Sequence, residues 1–353
     1  MSGPRVARID PTGSSDFKVR PAQPDDEPAI EAMFLECFGT PRSRGAWRWR
    51  WFGASGARGD ALILESDGVP IGHWAGSTSD MWHDGRRERV MLGGEVMVLP
   101  QYRRRGGMGM LITAARDIAA ANADVWIGFA TDEASRVTGA NGGGRVIGRM
   151  PMWVVWPRSF PRLPAPANYL AARILAGWRA LVFFFLPCAL TEILTSASWS
   201  EVDALALSSA SYAGCMRIRD AAYLRWRWLE RPEGEVTVFA SRERSGRLTG
   251  WAVIGVESGG RRIGRVLDLL ASDRASLRGL LRRSLNDLTA DDCDVITCDY
   301  LDPRRWPRWV LRLAGFASRP GKTMTALRMS PEAGRASDAI ESWYLTRGDT
   351  DVS

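Results

Sequence analysis

A chain of 353 residues is long for a single hydrophobic core and sufficient for two. At 45% hydrophobic and 25% charged residues it has the composition of a globular protein, which excludes wholesale disorder. The net charge of +7 is scattered and, apart from Lys18 and Lys322, carried by arginine, a pattern that argues against a nucleic-acid partner.

In chain order, residues 1–16 read as a flexible, signal-free N-terminus, and "FKVR" (17–20) predicts a strand. In "PDDEPAIEAMFLECFG", Asp25 or Asp26 caps a helix with apolar residues at helical spacing. "AWRWRWF" (46–52) sets Trp47 and Trp51 four apart on a helix, as packing aromatics rather than a substrate platform. "DALILESDGVPIGHWAGST" is two strands joined by the tight-turn dipeptide Asp67-Gly68. His73 on the second of these reads as packed, and His83 in "SDMWHDGRRE" as solvated. "RVMLGGEVMVLP" is a strand closed by Pro100, "MGMLITAARDIAAANA" a helix of strong formers, and "DVWIGFAT" a strand. "DEASRVTGAN" reads as a short helix and "RVIGRMPMWVVWP" as one final strand region. Two histidines exclude a multi-histidine metal centre, and the five cysteines complete no zinc site, so no metal is expected. Reduced thiols point to the cytoplasm.

A Pro-rich stretch, "WPRSFPRLPAPANY", precedes the apolar "LAARILAGWRALVFFFLPCALTEIL". Arg173, Arg179 and Pro187 interrupt the latter, and a span needs ~20 mostly apolar residues, so it is not expected to cross a bilayer. A buried interdomain helix is the expectation; an interfacial helix making peripheral membrane contact is the alternative.

The second half repeats landmarks of the first. "AWRWRWF" (46–52) has a counterpart in "YLRWRWL" (223–229), and Glu95 one in Asp268 of "GRVLDLLAS". Arg50 to Gly72 spans 22 positions and Arg227 to Gly250 spans 23, which indicates internal duplication. The expected division is 17–158 and 201–330 for the two repeats, 159–200 for the linker and 331–353 for a tail.

Between strand and helix, "LPQYRRRGGMGMLI" (99–112) concentrates Arg103, Arg104 and Arg105 against Gly106, Gly107 and Gly109. Glycines let an anion approach the main chain, the helix N-terminus presents free N–H groups, and the arginines supply forked donors. This is a cradle for one pyrophosphate rather than a surface for a duplex. Arg104 to Gly109 fits R/Q-x-x-G-x-G/A, the acyl-CoA motif of the GNAT N-acetyltransferase superfamily, and "VLPQY" resembles its V-x-P-x-Y lead-in. The order of elements from Phe17 to Pro157 is similar as well, and the paired RWRW segments resemble double-GNAT proteins in which one half keeps the motif.

The resemblance implies an α/β fold of two GNAT-like domains in tandem, each a mixed sheet with helices, the C-terminal copy degenerate. It implies acetyl-CoA or another acyl-CoA as co-substrate and transfer to a primary amine of a small molecule, sugar or peptide. Backbone groups of Met97, Val98 and Leu99 would hold the pantetheine arm, and those from Arg104 through Met108 to Gly109, with Arg103 and Arg105 beside them, the pyrophosphate. Glu95 would be the general base, since a protonated amine cannot attack a thioester; a structural ion pair is the competing role. No tyrosine stands in "DEASRVTGANGG", where the family commonly places its acid; Thr138 is near that place. Asp268 and Asp273 replace glycines and donors in the second half, which is not expected to bind CoA. A Fem-like aminoacyltransferase and a non-catalytic CoA-binding scaffold are the alternatives.

Overall fold

The computed structural model describes residues 17–350 apart from 44, 54–57, 131–142, 159–163, 165, 196, 197, 213, 259, 332 and 334. The N-terminal segment, the "DEASRVTGAN" helix and Thr138 lie outside the described residues.

Two hairpin turns lay out the first sheet. Asp67-Gly68 and Asp84-Gly85 each place two successive residues at positive φ, the turn whose twist matches the flanking strands. They join β2 (Arg58–Ser66), β3 (Val69–His83) and β4 (Arg86–Val98) into an antiparallel meander, with β1 (Phe17–Pro21) outside β2. β5 (Val125–Ala130) then runs parallel to β4 after a crossover through α3 (Gly107–Asn122). Leu111, Ala115 and Ala119 of α3 pack on Leu62, Leu64, Met91 and Val98. On the opposite face α1 (Glu27–Phe38) and α2 (Ala46–Phe52) bury Ile30, Met33, Trp47 and Trp51 against Ile63, Ala75 and Met97. The two tryptophans are core residues, as their spacing predicts.

The chain continues through β6 (Arg145–Arg149), β7 (Met152–Val155), α4 (Ala167–Phe185), β8 (Leu190–Ile193) and α5 (Trp199–Ser209). Next come β9 (Cys215–Arg217) and α6 (Ala221–Leu224), which widens into a π-turn over Arg225–Leu229. β10 (Val236–Arg242), β11 (Leu248–Ser258), β12 (Arg262–Ala271), α7 (Arg274–Ala290), β13 (Val295–Leu301) and α8 (Trp306–Leu313) repeat the plan of the first half. β14 (Ala317–Arg319), β15 (Thr323–Arg328) and β16 (Leu345–Thr346) close it.

The sheets exchange strands. The first runs β1-β2-β3-β4-β5-β15-β6, and the second β14-β7-β13-β12-β11-β10-β8. Each half thus inserts its last long strand between two strands of the other, in symmetry-related places. The segment 145–157, expected as one strand region, is two strands in different sheets. Pro151 separates them because it has no N–H with which to continue a ladder.

Three further expectations are corrected. The helix over the apolar stretch buries only Ala172, Val182 and Phe183, while Leu170, Ile174, Leu181, Phe184 and Phe185 stand more than half exposed. It is a surface helix, and no helix among the described residues is long and apolar enough to cross a membrane. His83 is not solvated: it is 2% exposed and its Nδ1 lies 2.6 Å from Glu88 Oε2. Residues 345–350, read as part of a tail, are buried between the halves.

Candidate active site

The site begins where two parallel strands part. β4 and β5 pair from Val90↔Val125 to Gly93↔Gly128 and no further. At Glu95 the backbone takes φ +49°, and the β3–β4 register shifts between His73 and Ala75. A bulge bends its strand and re-aims the side chains beside it. Past the bulge Leu99 N–H bonds Ile71 O, so strand alternation turns the Val98 N–H toward the gap. Of the three residues assigned to the pantetheine arm, Val98 therefore faces the opening, but its carbonyl is already engaged. Arg103 Nε donates to it at 2.9 Å, and Cys37 Sγ lies 3.7 Å away. Burial pushes the Cys37 thiol up despite the Arg103 charge, so it rests as a thiol.

The cradle follows directly. A short 3-10 turn over Pro100–Tyr102 leads to Arg104 at φ +63° and Gly106 at φ +89°, and α3 opens with no side chain capping it. The first N–H groups of a helix have no intrahelical partner, so an anion is their natural acceptor. Arg103, Arg104, Arg105, Gly106 and Gly109 are exposed around this end, and Arg105 lies over the Tyr102 ring. The glycines serve different ends. Gly106 supplies the left-handed turn. A Cβ on Gly107 would come within 2.5 Å of Leu64 Cδ2, so this glycine seats α3 on the sheet. A Cβ on Gly109 would meet nothing within 4 Å, which leaves open space before its main chain.

Glu95 lies on the α1–α2 face of the sheet beside the parting strands, 9% exposed. Its two oxygens differ. Oε2 accepts from Trp51 Nε1 at 2.9 Å and sits 2.6 Å from Arg42. Oε1 is buried without a hydrogen-bond partner among the described residues, with His73 Nε2 3.6 Å away. His73 accepts from Trp47 Nε1 through Nε2 and bonds Leu62 O through Nδ1, and burial lowers its pKa, so it is neutral. Arg42 also pairs with Glu31 at 3.1 Å. Burial opposes the Arg42 charge, but the two carboxylates outweigh it and raise its pKa; burial raises that of Glu31. The result is a buried carboxylate pinned by one oxygen and without a hydrogen-bond partner, among the described residues, at the other.

The second half braces this arrangement. Trp49 Nε1 donates to Trp226 O and Trp226 Nε1 to Trp49 O, each at 2.8 Å, a reciprocal clasp between the two RWRW segments. Ser43 N–H, beside Arg42, donates to Glu233 at 2.8 Å.

At the equivalent place in the second half, β12 and β13 also part, after Val266↔Cys298. Asp268 there accepts from Trp228 Nε1 at 3.0 Å, as Glu95 does from Trp51. An arginine pairs with each carboxylate and each lies at a register shift of its strand pair, but the remaining contacts differ. Tyr223 Oη and Thr346 Oγ1 also donate to Asp268, at 2.6 and 2.8 Å, and Arg219 pairs with it and with Asp349. β16 pairs with β13 in the gap, and Gly348 packs so closely on Tyr223 and Asp268 that a Cβ would overlap both. The Asp273 carboxylate accepts from Ser276 N–H at 2.8 Å and so caps α7 where an anion would bind. This gap is filled by the chain itself.

Sequence reasoning missed Arg42, Glu31 and the 345–350 plug, and assigned Arg103 to phosphate when its Nε closes on Val98. The paired RWRW segments carried the one signal available: equal positions make equal contacts, so Trp51 and Trp228 each reach a carboxylate.

Residues 18–135 match the family model "Acetyltransferase (GNAT) domain". No curated protein matches the chain by sequence. In fold it is similar to a probable N-acyltransferase of unknown function from Enterococcus faecalis, with TM-score 0.64 and 9% identity over 92% of this chain and 75% of that one. It is also similar to a tandem GNAT protein of the clavulanic acid biosynthesis pathway, with TM-score 0.58 and 13% identity over 90% and 100% of the chains. Saccharomyces cerevisiae N-myristoyltransferase with bound myristoyl-CoA gives TM-score 0.57 and 11% identity over 93% and 87%. These likenesses establish a tandem GNAT fold.

Proposed function

From the match of residues 18–135 to the GNAT acetyltransferase domain model, we infer acyl-CoA-dependent transfer to a primary amine, carried out in the first half. The observation that carries the reading is the uncapped, glycine-lined start of α3 beside a bulged strand that has lost its parallel neighbour. The N–H groups of Gly106 to Gly109 and the guanidinium groups of Arg104 and Arg105 would hold the pyrophosphate, Met108 packs beneath them, and the Val98 N–H is the group offered to the pantetheine arm. Arg103 orders the end of β4, and Met97 and Leu99 orient the strand.

The chemistry is a direct displacement. The amine nitrogen bonds to the thioester carbonyl carbon, the carbon–sulfur bond breaks, and the CoA sulfur leaves with the electron pair and takes up the second proton that the nitrogen sheds. An amine arrives protonated at neutral pH, so its proton must go first. Glu95 is assigned that proton at Oε1, directly or through one water, while Trp51 and Arg42 fix Oε2. The second half keeps the α1–α2 loop and α2 in register through the Trp49–Trp226 clasp and the Ser43–Glu233 bond. The acceptor assigned is an amine larger than a free amino acid, an amino sugar or a peptide-linked amine, since residues of both halves border the loop over Glu95.

The test is acetyl-CoA binding by calorimetry and CoA release across an amine library, on the full chain. No binding of acetyl-CoA overturns the reading; binding without turnover by any amine would make the protein a CoA-binding scaffold.

A further inference from the structure

We propose that the exposed face of α4 is a docking surface for an anionic lipid bilayer, lying on it without crossing. The helix presents an unbroken apolar stripe. Leu170, Ile174, Trp178, Leu181 and Phe185 follow one another at three- and four-residue steps, and Phe184, at 81% exposed, is the most open large apolar side chain described. The patch extends beyond the helix. Leu190 and Ile193 of the edge strand β8 are exposed, as is Trp309 of α8, one turn before the Leu313 carbonyl that accepts from Trp178 Nε1. Apolar faces of this extent are rare on soluble monomers and mark a contact surface.

Charge identifies the occupant. From residue 134 to 191 the sequence contains no Asp or Glu, while Arg173 and Arg179 lie on α4 itself. Arg173 is exposed, and Arg179 is part-buried under the stripe with no carboxylate partner among the described residues. Burial lowers its pKa. Arg312 lies over the Trp309 ring, Arg278 donates to the Pro187 carbonyl at the end of the helix, and Arg282 stands exposed one turn further along α7. The first carboxylate after the helix, Glu192, is taken up by Arg242. Aromatic and aliphatic side chains flanked by arginine, with the neighbouring Glu192 neutralised by Arg242, suit the interface of a bilayer whose headgroups carry phosphate. A second copy of this chain suits it poorly, because apposing two such faces would set arginine against arginine. The helix, interrupted by Arg173 and Arg179, is not apolar enough to span, so it would lie in the interfacial plane with its arginines reaching outward.

The experiment is co-sedimentation of the full chain with vesicles of phosphatidylcholine alone and of an equal mixture of phosphatidylcholine and phosphatidylglycerol, at low and high salt. The expected result is pelleting with the anionic vesicles only, released by salt. The double variant Phe184→Glu/Phe185→Glu should abolish pelleting, and Arg173→Gln/Arg312→Gln should weaken it about thirtyfold, the scale of two surface arginines acting on anionic lipid. Both pairs are exposed, so unchanged thermal melting will show that the variants are folded. No pelleting with anionic vesicles, or pelleting that survives the Phe184→Glu/Phe185→Glu change, overturns the proposal. So does a dimer by light scattering that the same change dissolves, which would assign the face to a second copy.

Discussion

Two gaps between parting parallel strands lie in this molecule, and they differ in what fills them. In the first, Glu95 keeps one oxygen free, the helix beyond starts uncapped, and a glycine faces open space. In the second, Asp268 meets four side-chain donors and the Leu269 N–H, the chain's own Asp273 caps the helix, and residues 345–350 occupy the opening. One scaffold leaves its gap open in the first half and fills it with the chain itself in the second. Satisfying every buried polar group makes a joint; a site requires that some be left for the ligand.

The strand exchange fixes how this contrast must be tested. A half expressed alone would lack an inner strand of its sheet, β15 in one case and β7 in the other. Variants of the full chain are therefore the instrument.

The largest effect is expected at Glu95. Glu95→Gln should lower kcat by about 10²–10⁴-fold, the worth of a positioned base, and leave acetyl-CoA affinity unchanged. The deficit should shrink as pH rises and the amine deprotonates unaided. Full activity in a destabilised protein, read from a pH–rate profile and a melting curve on one preparation, would reduce Glu95 to an ion-pair partner of Arg42.

Asp268→Ala should act on stability instead. Removing the acceptor that Arg219, Tyr223, Trp228 and Thr346 share leaves buried donors unpaired, at about 3–5 kcal/mol. Chemical denaturation measures this; acetyl-CoA affinity of the folded protein should stay within experimental error. A second acetyl-CoA bound by the variant would show that the plug had been all that closed the copy.

The glycines sharpen the comparison within the cradle. Gly107→Ala should cost about 1–3 kcal/mol, the price of overpacking against Leu64, and weaken acetyl-CoA through the displaced helix. Gly109→Ala should do the reverse for stability, gaining up to about 1 kcal/mol of helix propensity, while still weakening acetyl-CoA. Melting curves with and without acetyl-CoA separate the two, and equal destabilisation by both would contradict the assignment of Gly109 to the ligand.

The smallest effect concerns His73. Burial holds its folded pKa below the unfolded value of about 6.5, so its contribution is fully present above that pH and is lost as pH falls toward the folded pKa. Between about pH 7 and pH 5 the native protein should lose melting temperature faster than His73→Gln. Parallel slopes would mean that His73 is protonated in the fold.

Much was legible in the chain. The hairpin at Asp67-Gly68, the strand ending near Pro100, the helix starting at Gly107 and the core role of Trp47 and Trp51 all follow from local rules of turn chemistry, periodicity and propensity. The R-x-x-G-x-G segment was legible as a loop leading into a helix because its glycines and the turn before them act through backbone close at hand in sequence. The duplication was visible in the RWRW segments because equal places in a fold demand equal side chains. Tertiary structure decided what depends on contacts far apart in the chain. It placed β7 and β15 in each other's sheets, since edge strands pair with whichever unpaired backbone lies nearest, and sequence order carries no record of that. It turned α4 outward, because periodicity reports an apolar face but not whether a partner covers it. It set Arg42 on Glu95 and residues 345–350 on Asp268, so that two carboxylates at equivalent places in the repeat differ in whether one oxygen is left without a partner.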